Sequence, residues 1–366
     1  MISTIISVLV VSGIGAGLAG ALVICERFIA NYGECEIDIN GERQFVHKGG
    51  TDLLSALRDE GIFIPSACGG RGTCAYCKCR ILSGAGPLGP TEAPLLTAEE
   101  IEQGVRLSCQ VKIREDIKLV VPREILNVRE HECECAEMVD LTYDIKQFRF
   151  KLKEGDSLEF IPGQYVQLLT PVYEKSSEEV YRAYSISSDP QDKEAIELII
   201  RLIPDGICTT YCFEYLKVGD TVKMNGPYGD LRLSESDCPV IFVAGGSGMA
   251  PIKCILHHMK NTGSKRRATY FFGANTIKDM FLAEQMRAFE RDLADFTFVP
   301  VVASLPEGAK WTGEQGLVTE AVERNVRNAS ECEGYLCGSP GMIEATIEVL
   351  KKLGMSEERI FYDKFE

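Results

Sequence analysis

The chain has 366 residues, 45% hydrophobic and 25% charged, with a formal net charge of −15 and fifteen cysteines. That length exceeds one ordinary domain and leaves room for two or three cores. The acidic balance excludes general binding to nucleic acid or anionic lipid, which needs concentrated Lys and Arg. Cysteines spread along the chain, odd in number, exclude the dense disulfide framework of a small secreted scaffold.

Residues 2–25, ISTIISVLVVSGIGAGLAGALVIC, carry no charged side chain. At about 1.5 Å rise per residue a helix of this length reaches ~36 Å, enough to cross a ~30 Å hydrocarbon core with some tilt. A cleaved signal peptide is the competing reading, but MIST supplies no basic residue, and Ile24 stands before Cys25 where a lipoprotein site wants a small one. We expect a transmembrane anchor over 1–27, in which Gly13 and Gly17 have the spacing that seats a neighbouring helix. Little Lys/Arg asymmetry flanks it, so its orientation must follow from the chemistry.

GECEIDINGERQFVHKGG alternates apolar and polar residues on both sides of Asn40-Gly41, which predicts a hairpin. TDLLSALRDEG then predicts a short helix, with Thr51 or Asp52 as N-cap and Gly61 as stop. In the loop beyond, ACGGRGTCAYCKC places Cys68, Cys74 and Cys77 in C-x5-C-x2-C spacing, and RLSCQV supplies Cys109 after 31 further residues. Plant-type [2Fe–2S] spacing is C-x4-C-x2-C with a remote fourth cysteine, one residue shorter in the first gap. Gly69, Gly70 and Gly72 allow a tight backbone whose N–H groups face sulfur. A structural zinc site is the competitor, but zinc sites usually pair two short knuckles rather than draw three ligands from one loop. Cys79 reads as a packed residue of the next strand, and DIKLVVP as the strand that closes this part near Pro122.

From Glu132 to about Asp237 short strands alternate with Gly and Pro, which predicts a small antiparallel barrel with one helical stretch, CTTYCFEYLK. From Cys238 onward buried apolar strands alternate with helices, which predicts a parallel, doubly wound α/β sheet. Cys133/Cys135 and Cys208/Cys212 have no histidine nearby and read as core packing rather than metal ligands.

Residues 33–122 resemble a plant-type ferredoxin of the β-grasp fold. RAYSISS, residues 182–188, resembles the R-x-Y-S motif of the ferredoxin–NADP+ reductase superfamily. That resemblance implies Arg182 on a flavin pyrophosphate, Tyr184 against the ribityl chain or ring, and Ser185 near flavin N5. DGICTTYCFEYLKVGD adds Gly206, Thr209 and Thr210 at a helix N-terminus, an anion-binding position. FVAGGSGMAPIKCIL is not G-x-G-x-x-G, but it resembles the superfamily's G-G-x-G-x-A-P turn through Gly245, Gly246, Gly248, Ala250 and Pro251. YLCGSP matches the C-G-x-P segment, which implies Cys337 near nicotinamide C4 with Gly338 beside it, and Phe365 matches the near-terminal aromatic that covers the flavin. Hydride transfer needs two atoms held close rather than a proton shuttle, which suits a chain with four histidines. Asn275, Thr276 and a single Lys278 on the adenosine side favour NADH over NADPH.

The expected architecture is therefore multidomain: a transmembrane helix (1–27), an α+β β-grasp [2Fe–2S] domain (33–125), an antiparallel β-barrel for FAD (130–236) and an α/β doubly wound NAD domain (238–366). This order, and the longer first cysteine gap, resemble the F-subunit family of the sodium-translocating NADH:quinone oxidoreductases. One departure is the compact LLTPVYEKSSEEVYRAYS, where that family carries a long insertion. The resemblance implies a protein anchored in the inner (cytoplasmic) membrane by a single pass, its domains facing the cytoplasm. Electrons would pass from NADH to FAD to [2Fe–2S] and on to a respiratory acceptor, with other membrane subunits as partners. A reductase feeding an oxygenase can use the same three modules, but has no need of residues 2–25. A purely electron-transferring protein would bind no nucleotide at Gly245–Gly248.

Overall fold

The computed structural model describes residues 12–20 and 32–365. Residues 12–20 are helical and exposed, and the rest of the expected anchor over 2–25 lies outside the described residues. Among the described residues no helix is long and apolar enough to cross a membrane. The chain divides into two compact units, Met1–Arg129 and Glu130–Glu366.

In the first unit, β1 (Glu34–Ile39), β2 (Arg43–Lys48), β3 (Lys78–Ser83), β4 (Val105–Leu107) and β5 (Ile117–Val120) form one sheet in the order β2-β1-β5-β3-β4. The β1–β2 hairpin turns at Asn40 and Gly41, both at positive φ, as the Asn-Gly pair predicts. Alternation buries Cys35, Ile37 and Ile39 of β1 while Glu34 and Glu36 stay in water. Parallel pairing of β1 with β5, Ile37 opposite Ile117, joins the two ends of the unit across its centre. The helix α1 (Leu53–Asp59) closes the buried face with Leu53, Ala56 and Leu57. Asp52 caps it by accepting from the Ser55 amide at 2.9 Å, and Gly61 comes after its end at φ +72. The cysteine loop runs between α1 and β3, and Cys79 is buried on β3 as expected.

One buried ion pair pins the far side of that loop. Glu92, fully buried, accepts from Arg106 Nε at 3.0 Å, and the Arg106 Nη groups also reach it and the carbonyls of Gly86 and Pro87. Its carboxylate also takes the amides of Gly89 and Leu107, at 2.9 and 3.1 Å. Burial alone pushes the carboxyl up, but these donors hold it below the usual range. Leu107 lies two residues before Cys109, so the pair fixes where the fourth thiol enters the loop.

In the second unit, β6 (Arg129–Asp140), β7 (Ile145–Leu152), β8 (Tyr165–Thr170), β9 (Val180–Ser185), β10 (Ala195–Arg201) and β11 (Thr221–Tyr228) form an antiparallel sheet in the order β10-β7-β6-β11-β8-β9. Its edges meet at an Ile186–Leu198 bridge, with the Ser187 amide on the Glu197 carbonyl at 2.8 Å. Phe148, Phe150, Val166, Leu168 and Leu198 fill the interior. The helical stretch is a single turn, α2 (Ile207–Thr210), continued by a π-turn to Tyr215. It seats Cys208 and Cys212 in that core beside Cys133 and Cys135, as packing residues.

The remaining strands, β12 (Val240–Gly245), β13 (Ala268–Ala274), β14 (Phe296–Val302), β15 (Glu314–Gln315), β16 (Glu333–Gly338) and β17 (Ile360–Lys364), form a wholly parallel sheet in the order β15-β14-β13-β12-β16-β17. Alternation sends Phe242, Tyr270 and Tyr335 to one face and Val243, Phe271 and Leu336 to the other, so both faces carry core. The helices α3 (Met249–Asn261) and α4 (Ala283–Asp292) cover the first face, and α5 (Val318–Asn325) and α6 (Pro340–Lys352) the second.

Glu92→Ala leaves Arg106 buried without its partner. It is expected to cost about 3–5 kcal/mol, seen as a lower thermal midpoint for loss of the cluster's visible absorption. An unchanged midpoint would mean that the pair does not hold this loop.

Candidate functional site

The four cysteines stand two and two. Cys74 Sγ lies 3.4 Å from Cys68 Sγ, and Cys77 Sγ lies 3.2 Å from Cys109 Sγ. Two thiolates on one tetrahedral metal at ~2.3 Å stand about 3.8 Å apart, so each pair is close to the bite of one iron. The arrangement fits a binuclear cluster better than one zinc.

The loop backbone fits it too. Amides of Thr73 and Cys74 reach the Cys68 sulfur, that of Tyr76 reaches Cys74, and that of Gly72 reaches Cys109. Gln110 Nε2 adds a donor to Cys109 Sγ at 3.4 Å. The Cys74 thiol, with the Thr73 and Cys74 amides, holds Cys68 down to about 3, while Cys74 itself is raised. Inward amides require backbone that only glycine takes readily: Gly72 has φ +72, and a Cβ there would lie 2.7 Å from Gln110 Nε2.

The flavin motif occupies β9. Arg182 and Tyr184 alternate onto one face, half-buried, and Ser185 is buried at the strand's end. Tyr184 hydrogen-bonds the Cys208 thiol, and the Arg182 guanidinium is close enough to lower that thiol. Burial alone would raise Cys208, but bonds from Cys212, Thr170 and Tyr184 outweigh it and hold it below the ordinary value. These contacts bring the motif to α2, whose first intrahelical bond, Thr210 N–H to Gly206 O, leaves the earlier amides ahead of the ladder. A guanidinium beside such amides is a site for phosphate. Thr209 Oγ1 closes the turn on Ile203 and Thr210 is buried, so backbone rather than hydroxyls would meet an anion. Ser187, two residues past Ser185, has a buried Oγ with no partner among the described residues. These groups fit a flavin dinucleotide.

At the end of β12 the glycines answer different constraints. A Cβ on Gly248 would lie 2.2 Å from the Cys337 carbonyl oxygen, and one on Gly245 would lie 3.1 Å from Met342 Sδ. Neighbouring backbone requires glycine at 248, and Met342 packs closely on Gly245. Gly246, at φ +56, would meet only Arg201 Nη1 at 3.7 Å, so this position is open to a ligand at the head of α3. Pro251 stands in the first turn of α3, where no N–H is missed. Cys337 is fully buried, and burial raises its thiol well above the ordinary value, so it is a neutral packing group at the end of β16. Gly338 comes next at φ +139, and its carbonyl accepts the Phe365 amide at 2.8 Å, which fixes the chain terminus at the site.

Two residues were missed by reading motifs. Asp363 pairs with Cys337 across β16 and β17, and its carboxyl bonds Ser185 of β9. Burial raises it to about 6. Arg201, at the end of β10, is held through Nε by Asp144 at 2.8 Å and reaches Gly246. The only signal was their charge; their placement depends on strand register. On the adenosine side, Thr276 N–H and Oγ1 both bond Asp279 at 2.8 Å, adding a carboxylate beside Lys278.

Three family models match: a 2Fe-2S iron-sulfur cluster binding domain at residues 37–114, an oxidoreductase FAD-binding domain at 132–233 and an oxidoreductase NAD-binding domain at 242–348. The chain is 31% identical to the F subunit of the Na(+)-translocating NADH-quinone reductase of Marinomonas sp. (strain MWYL1), over 99% of this chain and 98% of that one. It is 33% identical to the corresponding protein of Neisseria meningitidis, over 95% and 96%. Among solved structures, an Amycolatopsis cytochrome P450 reductase, GcoB, aligns with TM-score 0.72 at 28% identity, covering 90% of this chain and 98% of that one. A ferredoxin reductase in carbazole 1,9a-dioxygenase aligns with TM-score 0.69 at 23% identity, over 91% and 99%, and shows the shared fold.

Because Asp363 binds its proton more tightly in the folded chain, folding loses stability as pH rises from about 4 to 6 and stays lower above. Asp363→Asn, fixed as the neutral form, is expected to match the parent's thermal midpoint near pH 4 and exceed it at pH 8. Equal midpoints at both values would show that the carboxyl is not buried against Ser185.

Proposed function

The chain belongs to the F-subunit family of the Na(+)-translocating NADH-quinone reductases, and on that footing we propose that it is the NADH-oxidising component of a membrane respiratory complex. Its residues would hold FAD and a [2Fe–2S] cluster, through which electrons from NADH would reach an acceptor in the membrane. FAD, when bound, supplies acceptance of a hydride with release of single electrons, and the cluster carries those electrons one at a time. The observation that carries the reading is the convergence at one place of the Gly246 turn, the Ser185 end of β9 and the terminal Asp363 and Phe365.

The chain's own residues have separate tasks in this reading. Arg182 and the amides at the head of α2 hold the flavin pyrophosphate. Tyr184 would meet the ribityl chain or ring of a bound flavin, Ser185 would face its N5, and Phe365 would cover the ring. Gly246 and the head of α3 take the NADH pyrophosphate, and neutral, buried Cys337 shapes the nicotinamide pocket without exchanging a proton. Cys68 and Cys74 would hold one iron and Cys77 and Cys109 the other, with the loop amides placed to stabilise charge on their sulfurs. Asn275 and the Asp279 carboxylate disfavour a 2′-phosphate. In this reading the modules span 33–125, 130–236 and 238–366.

Residues 2–25 anchor the chain in the inner membrane as a single pass, and because NADH is cytosolic the domains face the cytoplasm. A sequence of this apolarity is superfluous in a reductase that feeds a soluble oxygenase, which otherwise shares the three modules. Deleting residues 2–25 is expected to move the chain to the soluble fraction, keep NADH oxidation by ferricyanide, and abolish NADH-dependent quinone reduction in membranes. Membrane retention and full quinone reduction by the deleted chain would contradict the anchor. Full support of a soluble hydroxylase would favour the oxygenase reading.

A further inference from the structure

The helix α3 is buried almost throughout, yet it carries a polar stripe at positions 253, 257 and 261, spaced four residues apart and so on one face. Each member of the stripe meets an acid of the antiparallel barrel. Lys253 Nζ bonds Glu197 Oε2 at 2.7 Å, His257 Nδ1 lies 3.5 Å from Asp189 Oδ2, and Asn261 Nδ2 donates to Asp189 Oδ1 at 2.6 Å. Lys253 is the extreme case, its side chain only 2% exposed. An ammonium taken out of water is weak evidence for stability, because desolvation offsets the attraction, and the best attested use of such a pair is to fix register.

Both ends of the pair lead straight to the proposed site. Lys253 lies on the second turn of the helix that begins at the Gly246–Gly248 turn. Glu197 is tied to the continuation of β9: its amide donates to Ser188 Oγ at 3.2 Å, and its carbonyl accepts the Ser187 amide at 2.8 Å. Its other carboxylate oxygen takes Arg149 Nη1 at 3.2 Å, and Arg149 also pairs with Asp192, so the acceptor is itself held in place. One ion pair thus links the element that would carry NADH to the strand that would carry the flavin.

We infer that Lys253, through Glu197, is a positioning residue for hydride transfer: it sets the register of the NADH-binding turn against the flavin-binding strand. The inference rests on the functional reading above, in which Gly246 and Ser185 flank the reacting atoms. Those atoms must approach to roughly 3–3.5 Å, and a misplacement of about 1 Å can cost two orders of magnitude in rate. A register device far from the chemistry therefore acts on the limiting rate and leaves nucleotide affinity, made locally at the turn, largely intact.

The test is anaerobic stopped-flow reduction of the full chain carrying FAD and its cluster, across a range of NADH concentrations. Lys253→Met is expected to lower the limiting rate of flavin reduction about tenfold or more. The NADH dissociation constant should stay within about threefold, and Lys253→Arg should restore most of the rate. Lys253→Met leaves Glu197 without its buried partner and can fail to fold. The double variant Lys253→Met/Glu197→Gln carries no orphaned charge and is expected to fold with the same slow limiting rate. A limiting rate within about twofold of the parent in the double variant, or a loss confined to NADH affinity, would overturn the inference alone. Failure of NADH to reduce the flavin of the unaltered chain would overturn the functional reading and this inference with it.

Discussion

In the parallel sheet a Cβ on Gly248 would stand 2.2 Å from the Cys337 carbonyl oxygen, an overlap that only glycine avoids. The turn after β12 and the end of β16 are thereby pressed together, and the strand paired with β16 is placed with them. Because β17 pairs in parallel with β16, Asp363 comes opposite Cys337, and the Phe365 amide comes to the Gly338 carbonyl. The chain terminus reaches Ser185 on the barrel as a result. One missing methyl group lets two adjacent turns, a terminal strand and a flavin motif share one place.

Charge is used here mainly to hold geometry. Lys253 with Glu197, Arg201 with Asp144 and Arg106 with Glu92 each fix a backbone segment beside a proposed site. Around the proposed nicotinamide position burial raises both titratable groups: the Cys337 thiol stays neutral, and the Asp363 carboxyl is lifted to about 6. Such a pocket suits hydride transfer, which calls for close packing and exclusion of water more than for an acid or base. The cysteine loop works differently, since its amides point at sulfur and stabilise charge that arrives there.

Local rules made much of this legible. Asn40-Gly41 specifies the hairpin, Asp52 and Gly61 bound α1, and four cysteines with their glycines specify a cluster loop, because each is a short-range constraint. The apolar runs from Cys238 onward specify a parallel sheet covered on both faces. The features that escaped depend on register and contact across distant segments. Reading the motif assigns Gly245, Gly246 and Gly248 one purpose, whereas only Gly246 faces open space. Asp363 and Arg201 look like ordinary surface charges until β17 and β10 are aligned with their neighbours. Lys253 sits in a stretch whose apolar residues announce a buried helix, and nothing local foretells that Glu197, 56 residues earlier, receives it.

The central claim is that electrons enter at the nucleotide turn and leave through the cysteine loop by way of the flavin strand. Anaerobic mixing of the full, cofactor-loaded chain with NADH, followed at flavin and cluster wavelengths in the parent and in Cys74→Ser, tests it most directly. The account predicts that flavin absorption falls first and cluster absorption second in the parent, and that Cys74→Ser keeps the first phase and has no second. A flavin that bleaches while an intact cluster stays oxidised would contradict it.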